Sequence, residues 1–127
     1  MSRPFKAYTG GITPMNIQIF GAKKSADSRK AERYFKERGI KFQFVDMKEK
    51  GLSKGEFNSV KQAVGGLDKM IDEAAKDQDT LALVRYISDE DKEEKVLENQ
   101  QILLLPIVRN GRQATVGYKP EVWKTWE

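Results

Sequence analysis

The 127-residue sequence predicts an α/β domain built on a four-stranded mixed sheet flanked by helices, with a helical insertion between the second and third strands. Three observations predict it. Residues 16–20 (NIQIF) and 40–46 (IKFQFVD) alternate polar and apolar side chains, the period of half-buried strands, and a segment of helical period lies between them. Residues 47–102 then change to capped helical segments. After them, Asn110-Gly111 separates two strand-like stretches and is a strong short hairpin signal.

The elements follow in order. After the first strand, residues 21–24 form a turn, with Gly21 as a turn glycine. Ser25, Asp27 and Ser28 are all good N-cap types for the helix that runs to about Arg38 and stops at Gly39. Ala31, Tyr34 and Phe35 fall at i, i+3 and i+4 and form its buried stripe. With that helix as the crossover, the first two strands are parallel. In the insertion, Ser53 and Glu56 have capping-box spacing ahead of the apolar Phe57, Val60 and Val64. Gly65-Gly66 breaks this helix. Residues 67–75 read as a short helix and residues 80–87 as another, with Leu81, Val84, Tyr86 and Ile87 partly buried. Ser88 caps a further helix, and Asp89, Glu90 and Asp91 suit its positive end.

Residues 106–109 form the third strand and residues 112–118 the return strand, with Ala114 and Val116 on one face. Pro120 fits the first turn of a short terminal helix whose Val122, Trp123 and Trp126 pack onto the sheet. Tyr86, Tyr118, Trp123 and Trp126 read as core or sheet-covering residues; exposed aromatics among them would mark a partner surface. A parallel pair plus an antiparallel pair, with this insertion, is the arrangement of a thioredoxin-like domain. In that topology Pro106 is the expected cis-proline. The domain occupies residues 15–127. Residues 1–14, with two Gly and two Pro and no periodicity, read as a disordered extension or a leader.

Composition narrows the chemistry. Cysteine and histidine are both absent. That excludes disulfides, Cys/His metal sites, thiolate nucleophiles and imidazole triads, and no metal site is expected. The acidic run SDEDKEE lacks the ligand spacing and central glycine of a calcium loop. No apolar run approaches the roughly 20 residues that span a bilayer, so no membrane association is expected. The net charge of +4 comes from 23 basic and 19 acidic residues that alternate along most segments. This is a solvated surface rather than a one-signed stripe, and no direct nucleic-acid partner is expected.

The segment IFGAKKSADSRKAERYFKERGI resembles the opening of the arsenate reductase (ArsC)/Spx family, and Arg29-Lys30-Ala31 matches its basic run. The resemblance resumes at LLLPIVRNGRQATVGY and ends at KPEVWKTW. It implies a cytoplasmic thioredoxin-like, glutaredoxin-like protein and puts Ser25 at the position of the nucleophilic Cys. Ser28 falls on the second Cys of Spx members. A helix start lowers a thiol pKa from about 8.5 towards neutrality. A serine hydroxyl without a base is not ionised there and forms no disulfide. The family's arginine before the strand proline is Leu105 here. Its second and third oxyanion-binding arginines fall near Tyr118 and Asp72.

The resemblance therefore implies a family protein without its redox cysteine, a non-catalytic binding or regulatory module. The alternative is a glutaredoxin-coupled arsenate-reductase-like oxidoreductase whose catalytic Cys is replaced by Ser25. No cofactor is expected for the first reading, and glutathione or glutaredoxin for the second. Two partners are expectations: a protein, RNA polymerase by analogy with Spx, and a small oxyanion. Ser25, Asp27 and Ser28 are first of all helix caps. An anion site at the same helix start would use Lys23, Lys24, Ser25 and Arg29 with the free backbone amides.

Overall fold

The computed structural model describes residues 15–126; the predicted extension of residues 1–14 lies outside the described residues. Four strands, β1 (Ile17–Gly21), β2 (Phe42–Asp46), β3 (Ile107–Asn110) and β4 (Gln113–Val116), form one sheet in the order β2-β1-β3-β4. β1 and β2 are parallel, with Ile17 opposite Phe42, and β1–β3 and β3–β4 are antiparallel. Five helices surround it: α1 (Ala26–Glu37), α2 (Lys54–Val64), α3 (Gln78–Tyr86), α4 (Asp89–Glu98) and the short α5 (Pro120–Trp123). α2, α3 and α4 lie in the insertion between β2 and β3, as the helical periodicity of residues 47–102 predicts.

Strand alternation sends side chains to two cores. Ile17, Ile19 and Val108 face α1 and Trp123, joining Ala31, Tyr34 and Phe35. Phe20, Ile107 and Val116 face the insertion, joining Phe57, Val60, Leu81, Val84 and Val96. The sheet is thus the middle of three layers. The predicted capping box is complete: Ser53 Oγ accepts from Glu56 N at 3.2 Å, and Ser53 N donates to Glu56 Oε1 at 2.8 Å. Gly65 ends α2 in the left-handed region, at φ 94°. The Leu105–Pro106 peptide is cis.

Several local expectations change. The short helix predicted over residues 67–75 is a single 3-10 turn, Leu67–Met70, followed by a β-bridge from Ile71 to Leu103. Asp72 N donates to Ile102 O and Leu104 N to Met70 O, so long-range pairing outcompetes the local helix. The hairpin turn lies one residue later than expected. Asn110 still pairs with Gln113, and Gly111, at φ 62°, and Arg112 form the two-residue loop. Gly21 ends β1 rather than opening a turn. Tyr86, expected to be partly buried, is 90% exposed.

Candidate functional site

The carboxyl ends of the parallel strands β1 and β2 and the N-terminus of α1 meet beside Pro106, the place where open α/β sheets bind ligands. Ser25 is the N-cap of α1: its Oγ accepts from Ser28 N at 3.1 Å, and Arg29 N donates to Ser25 O at 3.1 Å. The hydroxyl and the first helical carbonyl thereby each accept one backbone amide. Ala26 and Asp27, the first helical residues, carry amides that no carbonyl of the helix can reach. Ser28 is fully buried, and its Oγ accepts from Ala22 N at 3.2 Å. This bond ties the helix back to the end of β1. Gly21 lets the two approach, because a Cβ there would lie 2.5 Å from Ser28 Oγ.

Ser25 opens onto a cleft of about 670 Å³. Its apolar lining is Leu103, Leu104 and Leu105 from the segment before Pro106, with Ala26, Ala74 and Ala75. The charged groups lining it are Asp27, Asp72 and Asp77 against the single Lys76. Leu105 and Asp72, which the resemblance sets at or near two of the three arginine positions, line this cleft. The third, Tyr118, packs edge-on against Trp123 at 5.5 Å, with Lys30 Nζ 5.8 Å from its ring centre. Of the cations predicted to cradle an anion, Lys23 and Lys24 are exposed outside the cleft lining. Arg29 turns away as well: its Nη1 donates to Lys23 O at 2.7 Å, and it borders a different groove. Among the described residues, no group of three or more His, Cys, Asp or Glu is placed to hold a metal ion.

Asp77 escaped the sequence reading, although an aspartate three residues before a threonine at a helix start is a capping signal. Its carboxylate accepts from Thr80 Oγ1 at 2.6 Å, from Gln101 Nε2 at 2.9 Å and from Thr80 N at 3.1 Å. These bonds, the Thr80 hydroxyl first, hold its pKa below the ordinary aspartate value. A depressed carboxyl stabilises the fold above its unfolded pKa, and that contribution is lost as pH falls through the folded value. Acid titration of the parent and of Asp77→Asn is therefore expected to differ below about pH 4, with the variant losing less stability on acidification. Identical acid-unfolding profiles would contradict this.

Comparisons with known proteins identify the fold and the family. The sequence profile of the ArsC family matches residues 20–126. The chain belongs to the ArsC family. Its fold is similar to that of an arsenate reductase from Vibrio cholerae, with 24% identity and a TM-score of 0.73 over 87% of this chain and 96% of the other. An ArsC family related protein from Bacteroides fragilis aligns over 91% of this chain and all of its own, with 16% identity and a TM-score of 0.75. An arsenate reductase (ArsC) related protein from Brucella melitensis covers 91% of this chain and 98% of its own length, with 19% identity and a TM-score of 0.57. At these identities the likeness is one of fold. No curated protein matches the sequence. This ArsC-family chain is free of cysteine throughout its length. Among the described residues, no helix is long and apolar enough to cross a membrane.

Proposed function

We propose that this ArsC-family chain is a non-catalytic binding or regulatory module. One observation supports the reading: Ser25, which the resemblance sets at the nucleophile position, has its Oγ accepting from Ser28 N as the cap of α1 in a chain without cysteine or histidine. Ser28, at the second thiol position of Spx members, is likewise committed to Ala22 N. With no cysteine in the chain, thiol–disulfide exchange with a thiol donor is closed to it. The cleft also favours a protein ligand over an oxyanion. Its leucine wall supplies apolar contact, and its carboxylates outnumber its one lysine. The Spx resemblance makes a transcription partner, RNA polymerase, the regulatory form of this reading.

The test is arsenate turnover by the unaltered chain with glutathione and glutaredoxin supplied. The expected rate equals the rate without protein. A rate proportional to protein concentration would overturn the reading.

A second reading has one observation in its favour: the start of α1 keeps the geometry that activates a thiol. In that reading the chain is an oxidoreductase scaffold whose catalytic Cys is replaced by Ser25. The absence of arginine at Leu105 and near Tyr118 and Asp72, where the resemblance sets the oxyanion-binding arginines, weighs against arsenate as its substrate.

A further inference from the structure

A second surface stands apart from the Ser25 cleft and does not depend on the fate of the thiol. α1 runs beside β2, and a groove lies between them. Arg29 and Arg33, four residues apart, and Lys36, three further on, share one helix face. Lys41, just ahead of β2, joins them, and Ile40 and Phe42 supply apolar surface along the groove. Glu32 is the one carboxylate that lines it. Arg33, Lys36 and Lys41 make no ion pair among the described residues. These three cations therefore have no carboxylate partner among the described residues, while Arg29 donates to Lys23 O. β2 is also an end strand, so its backbone groups facing away from β1 have no strand partner.

We propose that this groove binds an extended acidic peptide of a partner protein, which adds a strand to the free edge of β2. Strand addition supplies main-chain hydrogen bonds, and alternate side chains then supply specificity. On such a strand, every second residue points towards α1. Carboxylates there meet Arg33, Lys36 and Lys41, and an apolar residue meets Ile40 and Phe42. Charge complementarity selects the acidic peptide, and the open strand edge selects an extended one. Lysine at a strand edge commonly protects that edge from pairing with another strand. The apolar floor and the convergence of a helix face with Lys41 go beyond that protective role.

The probe is a fluorescein-labelled ten-residue peptide of alternating Glu and Val, followed by anisotropy and by backbone amide shifts of the full chain. The expected result is saturable binding with shifts concentrated in residues 40–46. Raising salt should weaken binding. The exposed-surface variant Arg33→Glu/Lys36→Glu should weaken it by about tenfold or more while keeping the parent fold by circular dichroism. The same peptide N-methylated at alternate residues should fail to bind. Absence of binding by the unmodified probe overturns the proposal and leaves the lysines their protective role. Retained binding of the N-methylated peptide overturns the strand addition. Equal binding of a ten-nucleotide oligothymidine, without shifts in β2, overturns the peptide in favour of a phosphate backbone. A salt-sensitive dimer of the chain that occludes the peptide overturns it in favour of a second copy.

Discussion

Trp123→Ala is expected to destabilise the domain by about 3–5 kcal/mol, the range for deleting a large buried aromatic side chain. Trp123 is fully buried on the face of the sheet covered by α1. Its ring centre lies 5.2 Å from those of Tyr34 and Phe35 and 5.5 Å from that of Tyr118, in edge-on and tilted packings that favour the aromatic quadrupoles. Its Nε1 donates to Thr115 Oγ1 at 2.7 Å, which ties α5 to β4. Removing the indole leaves a void and strands a buried hydroxyl. Trp123→Phe helps to separate the two costs, because it removes the hydrogen bond with a much smaller loss of volume than Trp123→Ala. Urea denaturation monitored by circular dichroism measures both. A loss below about 1 kcal/mol for Trp123→Ala would mean that this cluster does not hold the terminal helix to the sheet.

Gly21→Ala is the second large effect. A Cβ at this position would lie 2.5 Å from Ser28 Oγ, 2.8 Å from Ser28 Cβ and 3.3 Å from Phe44 Cε1. Ser28 is fully buried and cannot swing into solvent, so α1 must move off the end of β1. Overpacking of this kind costs about 1–3 kcal/mol, and loss of the Ala22 N bond to Ser28 Oγ adds about 1 kcal/mol. Ser28→Ala does not relieve the clash, because its Cβ remains. Ser28→Gly does relieve it, so Gly21→Ala/Ser28→Gly is expected to be more stable than Gly21→Ala/Ser28→Ala. Thermal unfolding of the four chains checks the ordering. If the two double variants are equally stable, the contact with Ser28 does not explain the glycine.

These two positions also show what was legible in the sequence. Strand alternation exposed β1 and β2, because each sends one set of side chains to each core. Ser53 and Glu56 were legible as a pair because a capping box is local chemistry. Trp123 was identified as core from its spacing to Val122 and Trp126. Non-local contacts were less visible. Gly21 looks like a turn residue, and only the fold reveals that Ser28 presses against it. Ile71 pairs with Leu103, thirty-two positions later, and that pairing replaces the helix expected there. Tyr86 lies off the buried stripe set by Leu81 and Val84 on α3, so its apolar character misled the burial reading.

The site divides in the same way. Ser25 as the cap of α1 was readable from the helix start. The cleft that Ser25 faces was not, because Asp72 and Asp77 enter it from the insertion and Leu105 from the segment before β3. The basic groove was half visible. Arg29, Arg33 and Lys36 have helical spacing, but Lys41 joins them only because β2 runs alongside α1.

The central claim is that the arsenate site is absent as a whole, and not merely its sulfur. The S25C variant tests it most directly, assayed for arsenate reduction with glutathione and glutaredoxin after its thiol pKa is measured by alkylation. The helix start is expected to lower that thiol pKa below about 8.5, which confirms that position 25 still activates sulfur. Arsenate turnover is nevertheless expected to stay at the rate without protein, because Leu105, Asp72 and Tyr118 supply no cation for the oxyanion. Protein-dependent arsenate reduction by S25C would contradict the account and identify the chain as a reductase scaffold missing one atom's chemistry.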